Sequence, residues 1–261
     1  MTEKDMTLVE HIVELRKRLT IVVVFFILAL IVSFFIAQPL IQYLQYTEEA
    51  RDLTLNAFKI TDPLKIFMQV TMILALIITS PLIMYQFWAF ISPGLLDKER
   101  RATLSYIPFS LLLFLGGIAF SYLILFPYVI GFMLSISDNM DIQETIGINE
   151  YFQFLFQITL PFGLIFQLPV VMLFLTRLGI ITPMLMTKYR KYSYLGLVII
   201  AAFITPPDIV SHMIVTLPLI ILYEFSVIIA KIGYRKFLKA EQQQIIEEQQ
   251  EAIKQQSLPP N

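Results

Sequence analysis

Apolar residues along this chain gather into six runs bounded by charge or by proline-containing turns: Leu19–Ala37, Ile66–Ile91, Ala102–Phe126, Tyr151–Leu175, Tyr192–Thr205 and Ile209–Ala230. A bilayer core of about 30 Å takes about 20 helical residues, so runs of this length predict membrane-spanning helices. Pro81, Pro108, Pro161 and Pro169 fall inside the runs. Neighbouring helices can satisfy the carbonyls that proline frees, so kinks are expected, not breaks. The last two runs are short: from Tyr192 to the Pro206-Pro207-Asp208 turn, and from Ile209 to the acidic Glu224, each covers only about 24 Å at about 1.5 Å per residue. A hairpin of two short helices thins the bilayer or sits recessed in it. It also cannot close a ring at both faces, so the expected fold is an all-α integral membrane protein of six spans in a concave arrangement.

Composition supports a membrane as solvent, because 57% of the residues are hydrophobic and the mean hydropathy is +0.73, more than a soluble domain can cover with polar surface. The first run follows Glu10, Glu14, Arg16, Lys17 and Arg18 with no small-residue cleavage site after it, which predicts an anchor and not a removable signal peptide. Of the 19 Lys and Arg residues, only Arg51, Lys59 and Lys65 fall on the side reached after the first run, and the segment after the third run carries Asp138, Asp141, Glu144 and Glu150 with no base. Both termini are therefore expected in the cytoplasm of a bacterial plasma membrane. The chain has no cysteine, which excludes disulfides and thiol chemistry.

Residues 1–238 read as one membrane domain and residues 239–261 as a Gln/Glu-rich, partly helical cytoplasmic tail. The stretch Gln38–Lys65 reads as an outer loop of short interfacial helices, rigidified by Pro39.

Few residues offer chemistry. Glu14 and Glu99 lie just cytoplasmic of the first and second runs, where two carboxylates could converge at one membrane face and bind a cationic group. Ordinary pairing stands beside that reading: Glu14 with Arg18 at i, i+4, and Glu99 with Lys98, Arg100 or Arg101. Gln167 lies at membrane depth beside Pro169, where a polar group is costly unless paired or facing a cavity. Glu224 either snorkels to the cytoplasmic side or pairs with a base, and Asp208 can cap the sixth helix. With two histidines, no cysteine and no GxSG or HExxH string, neither a catalytic site nor a metal site can be assembled, and no cofactor is expected. A secondary transporter or channel subunit would want midplane charges and repeat symmetry, and neither is evident.

Four strings carry a family resemblance: His11-Ile12-Val13-Glu14-Leu15-Arg16-Lys17-Arg18-Leu19, Phe90-Ile91-Ser92-Pro93-Gly94-Leu95 followed by Lys98-Glu99-Arg100-Arg101, Phe126-Pro127, and Ile204-Thr205-Pro206-Pro207-Asp208. In order and membrane face they resemble the TatC family over roughly residues 6–235. The resemblance implies a receptor, not an enzyme, that binds the twin-arginine signal peptides of folded precursor proteins. It also implies TatA/TatB-type single-span partners, assembly of several copies within a translocase complex, and the proton-motive force as energy source. It places signal-arginine contacts at Glu14 and Glu99, with Arg16 orienting the site and Phe90 offering an apolar wall. Gln167, Asp208 and Glu224 become polar membrane positions for translocation, and Pro39, Thr205 and His212 a docking patch for the small partners. Many family members carry Glu where this chain has Gln167. An amide cannot titrate, so a proton relay there is in doubt while a hydrogen bond to a partner helix survives.

Overall fold

The computed structural model of the chain describes residues 8–46, 55–91, 106–140 and 145–256. These form α1 (Leu8–Gln45), β1 (Leu55–Asn56), α2 (Asp62–Ile91), α3 (Tyr106–Phe120), a π-helical turn (Ser121–Leu125), α4 (Phe126–Asn139), β2 (Ile146–Gly147), α5 (Ile148–Ile165), α6 (Leu168–Arg177), α7 (Pro183–Lys188), α8 (Arg190–Ile204) and α9 (Ile209–Gln256). Five helical stretches are long and apolar enough to cross a membrane: Val9–Gln45, Asp62–Phe90, Ile107–Ser137, Ile148–Arg177 and Ile209–Lys236. The fifth predicted run forms α8, whose 15 residues reach only about 22 Å. The chain divides into two compact units, Met1–Gly163 and Leu164–Asn261.

In the first unit α1 packs on α2. The buried positions of α1 include Ala29, Ser33 and Ala37, one turn apart, whereas Val24, Leu28, Ile31 and Phe35 are exposed. That is the pattern of a lipid-facing helix that approaches its neighbour through small residues. On α2 the buried Thr71 and Thr79 donate their hydroxyls to the carbonyls of Phe67 and Ala75, each at 2.7 Å, so neither needs a partner helix. Outside the spans, β1 and β2 pair in parallel, with Leu55 opposite Ile146 and Asn56 opposite Gly147, tying the segment between α1 and α2 to the segment between α4 and α5.

Several expectations are corrected. The first helix extends beyond Leu19–Ala37 at both ends, so Pro39 lies inside α1 and not in a loop. Leu44, a turn beyond it, is buried, and that packing carries the helix past the missing donor. The third run does not stop at Phe126-Pro127: the helix widens through the π turn, where the Phe126 N–H donates to the Ser121 carbonyl, and continues to Asn139. Wider spacing just before Pro127 absorbs a residue that has no N–H to give. Of Pro81, Pro108, Pro161 and Pro169, only Pro169 coincides with an interruption. Pro108 sits in the first turn of α3, and Pro81 and Pro161 lie within uninterrupted helices.

The sixth helix is not short. Ile209–Lys236 spans 28 residues, and Glu224 does not end it because its carboxylate has local partners. In this second unit α9 packs on α6. A Cβ at Gly233 would stand 2.7 Å from Leu173 Cδ1 and 2.9 Å from Thr176 Oγ1, so the absent side chain is what lets the two helices approach. Gly131 has open space around it. Gly233→Ala should therefore lower the melting temperature in detergent, an overpacking loss of about 1–3 kcal/mol outweighing the helix-propensity gain of about 1 kcal/mol. Gly131→Ala should leave the melting temperature level or raise it; the same loss in both would remove the packing account.

Candidate functional site

The end of α1 that precedes its apolar run meets the end of α2 at a polar corner. Arg18 donates from Nε to Glu14 Oε1 at 3.0 Å, again from Nη2 to the same oxygen, and from Nη1 to Gln86 Oε1 at 3.0 Å. Glu14 and Arg18 are one helical turn apart, so their pairing follows from α1 alone. The bond to Gln86 uses the remaining fork of the guanidinium to fix α1 against α2. Glu14 Oε2 is buried and has no donor among the described residues. A carboxylate with one oxygen bonded and the other unmet keeps acceptor capacity for a second cation.

His11, one turn before Glu14, stacks on Phe90 with ring centroids 4.2 Å apart and planes inclined by 27°. Phe90 and Gln86 are one turn apart on α2, as His11 and Glu14 nearly are on α1, so four side chains line the same corner. Arg16 is exposed, and its carbonyl accepts the Thr20 hydroxyl at 2.8 Å. Glu99 lies outside the described residues. From this corner an open groove of about 370 Å³ runs into the apolar part of the two helices, lined by Thr20, Ile21, Val24, Phe25, Leu28 and Leu82. Leu82 is one turn from Gln86, and Thr20 is two residues from Arg18, so the groove begins where the charges end.

Neither Gln86 nor His11 was singled out as a site residue from the sequence. Gln86 has a usable signal, being a polar residue inside an apolar run and four positions before Phe90. His11 has none beyond its place in the first motif.

The second unit holds five other predicted positions: Gln167, Thr205, Asp208, His212 and Glu224. Asp208 caps α9: its Oδ1 accepts from the Ser211 N–H at 2.6 Å, and its carbonyl accepts the His212 N–H at 3.2 Å. Thr205 is buried, donates to the Ala201 carbonyl at 3.0 Å, and lies 3.4 Å from His212 Nδ1. The Thr205 hydroxyl is thus met within its own chain and does not need a partner helix to satisfy it. With its proton on Ala201, Thr205 Oγ1 is left to accept from His212 Nδ1.

Glu224 accepts from Arg190 Nη2 at 2.7 Å and from the Tyr194 hydroxyl. Arg190 and Tyr194 are one turn apart on α8, so the carboxylate joins α8 to α9. Gln167 sits between α5 and α6, not in mid-helix: its N–H donates to the Leu164 carbonyl, and its own carbonyl accepts from Val170 and Val171, all at 3.0 Å. Pro169, without an N–H, follows in the first turn of α6. Among the described residues no group of three or more His, Asp or Glu side chains could hold a metal ion.

Comparison with known proteins gives a single answer. Residues 10–218 match the family model for TatC, described as the Sec-independent protein translocase protein. The chain is 59% identical over 240 residues to the Sec-independent protein translocase protein TatCy of Bacillus subtilis, covering 92% of this chain and 94% of that one. It is 54% identical over 241 residues to the TatC protein of Halalkalibacterium halodurans, covering 92% and 95%. Its fold is similar to the crystal structure of the twin arginine translocase receptor TatC, with a TM-score of 0.76 and 31% identity, covering 86% of this chain and 99% of that one.

Proposed function

The chain belongs to the TatC family, and on that premise we propose that it captures twin-arginine signal peptides at the corner built from Glu14, Arg18, Gln86, His11 and Phe90. It is a multi-pass protein of the bacterial plasma membrane and a twin-arginine translocase receptor, and TatC proteins work with other subunits of the Tat translocase. The observation that carries the proposed site is the unmet acceptor Oε2 of Glu14 on α1, two helical turns before Ile21, which lines the apolar groove between α1 and α2. A signal peptide is polar and cationic first and apolar next, and this surface has the same order. One signal guanidinium bonds Glu14 Oε2, the other meets Glu99, and the apolar segment lies along Val24, Phe25 and Leu28. Arg18 holds Glu14 in place through its bond to Gln86. Arg16 keeps the local charge balance outside the contact.

Six spans with both termini in the cytoplasm complete the topology, α8 being the short one, and α9 runs on to Gln256, out of the membrane domain of residues 1–238 and into the tail of residues 239–261. Several copies assemble with TatA/TatB-type subunits under the proton-motive force. These partners dock beside Pro39 and at the Thr205–His212 edge, where Nε2 of His212 offers a polar contact to a side chain on the partner helix. Gln167, at the break before α6, and the paired Glu224 and capping Asp208 shape the membrane path without proton transfer through Gln167.

The test is binding of a fluorescent signal peptide to the purified chain in detergent. A peptide with Arg-Arg should bind at least about tenfold more tightly than the same peptide with Lys-Lys, because lysine cannot form the planar paired bonds. Equal affinity of the two peptides would refute the site.

A further inference from the structure

Where α9 leaves its apolar span, Lys231 and Arg235 stand one turn apart and share a face of the helix. Both are exposed, and neither has a hydrogen bond or ion pair among the described residues. They line a cleft of about 310 Å³ together with Tyr234 and with Thr182, Pro183 and Met184 at the start of α7. The cleft has a fixed far wall. α7 is held on α9 by the buried Tyr223 hydroxyl, which donates to the Met186 carbonyl at 3.0 Å, and Thr182 is held by accepting from the Leu185 N–H. Gly233, about half a helical turn round from the two bases, is occupied by the contact with α6, so Lys231 and Arg235 cannot turn that way to find a partner.

We propose that this cleft binds the phosphate headgroup of an anionic phospholipid. Two neighbouring cations with no carboxylate partner call for an anion, and a phosphate oxygen suits both an ammonium and a guanidinium. Three features choose a lipid over a free phosphate. The cations sit at the end of a membrane span, where headgroups are the abundant anions. The cleft is half apolar, with Pro183 buried and Met184 82% exposed, which a hydrated phosphate would leave unmatched. Ile221, Phe225, Ile228 and Ile232, all exposed, form a stripe at helical spacing that runs up α9 to the two bases, a track for an acyl chain below its headgroup. The inference does not depend on how the signal peptide is bound.

Native mass spectrometry of the full chain, released from mixed micelles of phosphatidylglycerol and phosphatidylcholine, tests it. Wild type should retain phosphatidylglycerol at least about tenfold more than phosphatidylcholine, at about 1 kcal/mol for each base near the surface. K231Q/R235Q should abolish that preference. K236Q/K239Q, which removes two exposed charges from the same helix outside the cleft, should keep it. Equal loss in both double variants would mean diffuse surface charge and would overturn the cleft. Displacement of the lipid by millimolar inorganic phosphate would make this a free-anion site and overturn the lipid assignment, as would a wild type with no preference.

Discussion

Glu14→Gln should weaken capture of a twin-arginine peptide by about tenfold or more, since a hydrogen bond to an ionised group contributes about 1.5–3 kcal/mol and about 1.4 kcal/mol is a decade in affinity. The substitution keeps the shape and removes the charge. It also loosens Arg18, whose Nε and Nη2 both point at Glu14 Oε1, so the corner itself must be shown intact. Salt provides that control. Wild-type affinity should fall as ionic strength rises, because part of it is charge attraction at a partly exposed surface, while the weaker binding of the variant should depend less on salt. Arg18→Lys separates the two roles of the corner: lysine retains a positive charge but cannot bridge Glu14 and Gln86 with a planar fork. It should lower affinity less than Glu14→Gln does. Parallel salt curves for wild type and Glu14→Gln would show that the carboxylate serves only its neighbour Arg18.

Arg190→Leu is the second large effect. It leaves the Glu224 carboxylate with Tyr194 as its remaining partner, in a helix that the surrounding residues 209–236 place across the membrane. Both side chains are about a third exposed, so screening and hydration reduce the penalty of a fully buried charge, and a loss of about 1.5–3 kcal/mol is expected. The double change Arg190→Leu with Glu224→Leu removes both charges and should recover most of the stability, because matched apolar replacement of an ion pair is often close to neutral. Thermal unfolding in detergent measures it. A double variant as unstable as the single one would mean that packing around α8, and not the ion pair, holds the two helices together.

The apolar runs located the helices because length and apolar content suffice to identify a bilayer span. It failed where local polar partners decide the outcome. Glu224 looked like the end of a span, but Arg190, 34 residues earlier, neutralises it, and no pattern along the sixth run contains that information. Phe126-Pro127 looked like a stop, yet a π turn supplies the spacing proline needs, and such a turn leaves no periodic trace. Gln167 fell inside the continuous run Tyr151–Leu175, although Pro169 two residues later was already the signal for a break. At the candidate site, Glu14 was legible from its motif and its i, i+4 partner from helix geometry. Gln86 was not, because its role arises only from the approach of α1 to α2, a contact 68 positions apart in the chain. The groove along Val24, Phe25 and Leu28 was hidden for the opposite reason: every helix in a membrane protein offers such residues, and only packing shows which of them form a channel.

The central claim is that the corner at Glu14 receives the signal arginines. A photoreactive residue in place of Lys17, one turn from Glu14 and exposed on α1, tests it directly in membranes that contain the full chain. The account predicts a crosslink to a precursor with two signal arginines that fades when these become lysines and is lost in Glu14→Gln. A crosslink of equal yield with all three, or none with the wild-type signal in properly inserted protein, would contradict it.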